Sequence, residues 1–138
     1  CAGVHAIVIP SKGAAQIKLG LTKKLELGNL DASRDWGHAK DYVRAMHMML
    51  LHDKPDDFVV STMQAHSVRY MVDVVFSMLG LDYNKYVVQN EKFLRPEELN
   101  YLKGDSTKIR TELSWKPNYT FESLMEEMVK HWMAQLQR

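Results

Sequence analysis

Leu27-Gly28-Asn29-Leu30-Asp31-Ala32-Ser33-Arg34-Asp35-Trp36-Gly37-His38-Ala39-Lys40-Asp41-Tyr42 sets the end of a strand-like run, a polar corner holding an arginine, and a helix start side by side. Just upstream, Lys24-Leu25-Glu26-Leu27 alternates polar and apolar residues as a half-buried strand does, and Gly28-Asn29 stops it. Downstream, the 3.6-residue period predicts a helix from about His38 to His52. Ala39, Tyr42, Val43, Met46, Met49 and Leu50 form its inner stripe, and Pro55 lies beyond its end.

The same alternation continues in both directions. Ser11 to Leu21 reads as a helix opened by Pro10-Ser11, with Gly13 and Gly20 weakening its two ends. Asp57 to Thr62 reads as a buried strand. Ser67 then offers an N-cap to a helix with Val68, Met71, Val72, Val75, Met78 and Leu79 inside, stopped at Gly80. Tyr86-Val87-Val88 is a third short strand, and Asp105 is the expected N-cap of a helix reaching Leu113. The last helix has the clearest pattern: Phe121, Leu124, Met125, Met128, Val129, Trp132, Met133 and Leu136 recur on one face behind the cap Thr120. Strands alternating with helices predict an α/β chain, but three short strands are too few for a covered parallel sheet. Apolar stripes and strand edges are therefore expected to need a partner.

The 138 residues suit one small domain, and 46% apolar with 25% charged residues is an ordinary globular composition. Eighteen basic against seventeen acidic side chains leave a charge of +1, so no general field recruits nucleic acid or an acidic membrane, and any anion must be captured locally. The one cysteine, Cys1, excludes an internal disulfide framework and fits a reducing compartment; the expected location is cytoplasmic. No apolar run approaches the roughly 18–20 residues of a membrane span, and no leader pattern opens the chain. A first residue of cysteine points to a cut product. The histidines are too scattered for metal-ligand spacing, so no metal is expected.

Two arginines carry the candidate chemistry. Arg34 follows a strand in the polar corner, where a guanidinium fork can grip phosphate oxygens in a bidentate way; the alternative is an exposed ion pair with Asp31 or Asp35. In Arg95-Pro96-Glu97-Glu98, a cation and a carboxylate three residues apart can face one cleft. There Arg95 would neutralise a diphosphate while Glu98 accepts from ribose hydroxyls; the alternative is a solvated turn. No Gly-x-Gly-x-x-Gly, no Walker sequence and no Gly-x-Ser-x-Gly occurs.

From about Ser11 to Trp132 the chain resembles the C-terminal part of the GDP-mannose 4,6-dehydratases, members of the extended short-chain dehydrogenase/reductase superfamily. The resemblance rests on blocks in a fixed order. These are Ile17-Lys18-Leu19-Gly20, Leu27 to Tyr42, Asp56-Asp57-Phe58-Val59, His66-Ser67-Val68-Arg69, Arg95-Pro96-Glu97-Glu98, Gly104 to Lys108 and Trp115-Lys116-Pro117. It implies an α/β fold: the C-terminal substrate-binding part of an NAD(P)-binding Rossmann-like enzyme, with the N-terminal Rossmann core absent. Residues 1–10 would be a divergent segment and residues 11–138 the sugar-nucleotide-binding domain.

By the same resemblance, Arg34 contacts the sugar nucleotide, Arg95 holds its diphosphate, Glu98 meets the ribose, and Lys24, Asp35 and His38 are supporting positions. The family is an NADP-dependent lyase that turns GDP-mannose into GDP-4-keto-6-deoxymannose, removing a hydride from C4 and returning it to C6. This chain lacks the family's Gly-rich loop, catalytic Thr/Ser and Glu, and Tyr-x-x-x-Lys pair. The resemblance therefore implies NADP in the complete enzyme, none bound by this chain alone, no catalytic residue here, and an inactive isolated chain. The implied partners are GDP-mannose or a related GDP-sugar, together with the missing N-terminal half or a second copy. Alternative readings are a fragment of a related GDP-sugar reductase or epimerase, and a non-catalytic remnant that binds a nucleotide sugar or a protein. Three positions depart from the family pattern: Met63-Gln64 replaces Gly-Glu, and Tyr70 replaces a glutamate whose loss removes the Ser-x-x-Glu capping box at Ser67.

Overall fold

A computed structural model describes residues 2–94 and 96–138, with side chains from residue 7 onward. Among the described residues five α-helices run in chain order: α1 (Ala2–Lys18), α2 (Ala39–Leu50), α3 (Val68–Met78), α4 (Thr107–Leu113) and α5 (Phe121–Leu136). Between them, among the described residues, lie four very short strands, β1 (Leu25–Leu27), β2 (Ser33–Arg34), β3 (His66–Ser67) and β4 (Val87–Gln89). No helix among the described residues is long and apolar enough to cross a membrane.

The main core is a three-helix layer in which α1 packs on α5 and α3. Met71, Val72, Val75 and Phe76 of α3 meet Ala14 and Ile17 of α1 and Leu124, Met125 and Val129 of α5. The caps read from the sequence hold these helices. Ser67 Oγ accepts from Tyr70 N at 3.1 Å. Leu81 N and Gly80 N donate back to Phe76 O and Ser77 O, a Schellman stop that needs the positive φ of 69° at Gly80. Thr120 and Ser123 close a reciprocal capping box at the start of α5.

Tyr70 does not supply the glutamate of a capping box, but it gives α3 another tie. Its ring stacks on His66 and Phe121, and its hydroxyl donates to Glu122 of α5 at 3.3 Å. Trp132, expected in the core, is only half-buried.

Several expectations need correction. The first helix does not begin at Ser11 but runs through Pro10 from Ala2. Pro10 has no N–H to give the preceding turn, and next to it the Ser11 hydroxyl donates to Ile7 O at 2.8 Å. Gly13 does not weaken this helix idly: a Cβ there would press within 2.8 Å of Leu25, so its absence lets α1 lie directly on β1. The helix after Asp105 begins one residue later than expected, with Ser106 in the cap position, although the Asp105 carboxylate still accepts from Thr107 N at 2.9 Å.

Asp57 to Thr62 pairs with no strand among the described residues. A strand exists only by its ladder. Here Phe58 and Val60 pack against a small second core while the backbone is held by side chains, Lys108 to Asp57 O and Arg110 to Thr62 O, both at 3.0 Å. The strands that do form make two two-stranded sheets, β1–β4 parallel and β2–β3 antiparallel, with Leu25 opposite Val87 and Arg34 opposite His66.

The inner face of α2 is also turned from the apolar stripe. Val43, Met46 and Leu50 are 62%, 57% and 84% exposed, whereas Asp41 and Ala45 are buried and Met48 and Met49 pack beside them. Trp115 decides this rotation, because its indole Nε1 donates to Asp41 O at 3.0 Å and its ring fills the second core.

Met63 stands in the left-handed region at φ 63°, where the family pattern has glycine. Asp35 holds the strained turn, accepting from Thr62 N at 2.9 Å and Met63 N at 3.0 Å. Met63→Gly is expected to raise the unfolding free energy by about 0.5–1 kcal/mol. Relief of the backbone gives about 1–2 kcal/mol and the freer glycine chain takes back part of it. A denaturant midpoint that does not rise would show that the turn carries no such strain.

Candidate functional site

The polar corner after β1 opens into a cleft of about 440 Å³. Ile9 and Pro10 of α1, Leu27 at the end of β1, and Phe93 and Leu102 supply apolar walls; Asn29, Arg34 and Glu98 supply polar ones. The segment carrying Glu98 is placed by the backbone. Ser33 N donates to Asn100 O at 2.8 Å and Leu102 N to Ser33 O at 3.0 Å, so the 96–102 segment is moored on β2 beside Arg34.

This mooring brings together two residues that lie 64 positions apart. Arg34 Nη2 donates to Glu98 Oε1 at 3.5 Å, while Arg34 Nη1 donates to Ser33 O at 2.8 Å. Their side chains are 25% and 23% exposed, so the pair sits in a partly dry cleft rather than on open surface. The alternative partners of Arg34 are engaged elsewhere: Asp31 accepts from Arg69 Nη2 at 2.9 Å, and Asp35 holds the Thr62–Met63 turn. The guanidinium thus keeps donors without an acceptor among the described residues, beside a cavity large enough for part of a nucleotide.

Arg95 lies outside the described residues. Of the supporting positions, Lys24 pairs with Glu26 at 3.0 Å, both side chains facing solvent. His38 caps α2, its Nδ1 accepting from Lys40 N at 3.0 Å; this fixes the proton on Nε2, which donates to Glu127 at 3.2 Å.

The residue that sequence reasoning passed over is Asn29. It reads as a strand breaker, yet its Nδ2 donates to Glu98 Oε2 at 3.1 Å and its Oδ1 accepts from Asp31 N at 2.9 Å. An asparagine two residues before a backbone N–H in a turn is the signal that could have marked it.

Behind the cleft, Trp36 is buried against Phe121 with ring centroids 6.1 Å apart, and Tyr42 lies in the adjoining packing. Burial, with the Asp35 and Asp41 carboxylates nearby, pushes the Tyr42 phenol up to about 12. An unfolded tyrosine ionises near 10, so this group stabilises the fold fully below about pH 10 and loses that contribution as pH rises toward 12. The stability difference between the protein and Tyr42→Phe is expected to change across that interval and be flat below it. Urea titrations at pH 8, 10 and 11.5 measure it; a difference constant with pH would rule the shift out.

A family model described as GDP-mannose 4,6 dehydratase matches residues 8–128. The chain is 48% identical to GDP-mannose 4,6 dehydratase 2 of Arabidopsis thaliana over 119 residues, covering 86% of this chain and 32% of that protein. It is 42% identical to the human GDP-mannose 4,6 dehydratase, covering 86% and 37% of the two chains, and 36% identical to that of Vibrio cholerae, covering 93% and 42%. The chain thus spans 32% to 42% of the length of these relatives.

Among solved structures, RMD from Pseudomonas aeruginosa complexed with NADPH superposes with a TM-score of 0.84 at 22% identity, over 94% of this chain and 43% of that one. The dTDP-glucose 4,6-dehydratase of Bacillus anthracis, in complex with NAD, gives 0.70 at 23% identity, over 88% and 38%. At these identities the likeness is one of fold. It is the α/β fold of the extended short-chain dehydrogenase/reductases, of which this chain is a portion.

Proposed function

From its membership of the GDP-mannose 4,6-dehydratase family, to which this chain belongs, we infer that it is the C-terminal, sugar-nucleotide-binding portion of such a lyase. Its cleft takes GDP-mannose or a closely related GDP-sugar. The observation that carries this reading is the meeting of Arg34 and Glu98 at the cleft, a cation for the diphosphate beside a carboxylate for the ribose. Arg95 adds a second cation to the diphosphate by its place in the family motif. The apolar walls from Leu27, Phe93 and Leu102 suit a purine base and a sugar ring that must leave water.

The residues present do not fit the nicotinamide cofactor. The sequence holds neither a Gly-x-Gly-x-x-Gly turn nor a Tyr-x-x-x-Lys pair, so hydride transfer and its proton steps belong to the length of the relatives that this chain does not span. This chain's share of the work is to bind and orient the nucleotide, leaving the hexose to the other part.

The reading is tested by calorimetric titration of the chain with GDP and GDP-mannose, paired with an activity assay. Binding of both ligands is expected, with no conversion of GDP-mannose when NADP is added. Turnover by the purified chain would refute the division of labour, and absence of nucleotide binding would refute the assignment of the cleft.

A further inference from the structure

Resting on the reading that the cleft takes a GDP-sugar, we propose that Asn29 is a positioning residue: it keeps Glu98 in place when a nucleoside diphosphate draws Arg34 away. The Arg34–Glu98 contact is a single hydrogen bond of 3.5 Å, at the outer limit of such bonds and not bidentate. A diphosphate offers several charged oxygens to the same fork, and the bidentate pairing is the stronger one. Ligand entry therefore exchanges Arg34 from carboxylate to phosphate.

Glu98 is then left near a second anion, with its remaining protein contact, among the described residues, to Asn29. Asn29 is well suited to hold it. Its Oδ1 is fixed by Asp31 N at 2.9 Å, so the side-chain amide cannot turn over without losing that bond, and Nδ2 must face Glu98. A neutral donor holds the carboxylate without competing for the phosphate, which a lysine at this place would do. The held carboxylate meets ribose hydroxyls, so Asn29 acts through Glu98 to favour nucleotides over bare phosphates.

The test is calorimetric titration of the 138-residue chain and its N29A, E98Q and N29A/E98Q variants with GDP and with inorganic pyrophosphate. Asn29→Ala is expected to lower the ratio of GDP to pyrophosphate affinity by about 5- to 10-fold, the size of one net hydrogen bond. The double variant should be no more than about twofold weaker for GDP than E98Q alone, because both changes remove one device. Equal weakening toward both ligands would mean that the corner had merely loosened, and would overturn the proposal, as would an unchanged ratio.

A second readout separates this proposal from the reading beneath it. By NMR, the Asn29 side-chain amide resonances should move as the Glu98 carboxylate is protonated, and should not do so in E98Q. An immobile amide overturns the Asn29–Glu98 link even if GDP binds. Failure of the unaltered chain to bind either ligand overturns the cleft assignment, and with it the ligand exchange, even if the amide moves.

Discussion

Arg34→Ala is expected to weaken binding of GDP and GDP-mannose by roughly 30- to 150-fold, the equivalent of about 2–3 kcal/mol for a lost charge-assisted contact. The expectation comes from the place of the side chain. Arg34 is held at its root by Ser33 O, lies in a partly dry cleft, and has Glu98 as its carboxylate partner at a long 3.5 Å. Removing it also leaves the Glu98 charge uncompensated where the diphosphate must sit, so two unfavourable changes act in the same direction. Lysine should restore only part of the affinity, since it returns the charge but not the fork. Arg95→Ala is expected to behave alike by its motif. Calorimetry on the folded variants measures all three, and unchanged affinity in Arg34→Ala would return the residue to a structural ion pair.

The largest expected loss of stability lies elsewhere, at Asp41. Its carboxylate is 2% exposed and accepts from Asn118 N at 2.9 Å and Tyr119 N at 3.1 Å, while Arg44 pairs with it at 3.2 Å. One side chain thus ties α2 to the turn that precedes α5. Asp41→Ala should cost about 3–5 kcal/mol, because two backbone donors lose their acceptor and Arg44 loses its counter-charge. Asp41→Asn keeps one acceptor and is expected to cost roughly half as much. The Trp115 indole bond goes to the Asp41 backbone and survives both changes. Urea unfolding measures the series; a loss below about 1 kcal/mol in Asp41→Ala would show that water replaces the carboxylate.

What was legible in the sequence divides by the range of the interaction. α3 and α5 were readable because Ser67, Gly80 and Thr120 act on backbone groups two to four residues away. β2 and β3 were not, because two-residue strands exist only through each other: Arg34 lies opposite His66, and no local pattern marks either. The face of α2 was misread for the same reason, since Trp115 and Asp41 outweigh the stripe of Val43, Met46 and Leu50. Asp57 to Thr62 has the apolar run of a buried strand but no strand partner, among the described residues, to make it one. At the site, Arg34 and Glu98 were found through their motifs, while their meeting and the part of Asn29 depended on the loop moored to Ser33.

The pairing of β1 with β4 has a consequence for how the chain reaches this structure. Leu25 must find Val87, and Ser33 must find both Ser67 and Tyr101, so every strand contact joins distant parts of the chain. Closing such loops costs chain entropy before any contact repays it, whereas helical turns form from near neighbours. The helices are therefore expected to form ahead of the ladders. Because Leu27, Arg34 and the loop carrying Glu98 take their places through those ladders, the ability to hold a ligand is expected to arise late, after most of the helical signal has been recovered in refolding.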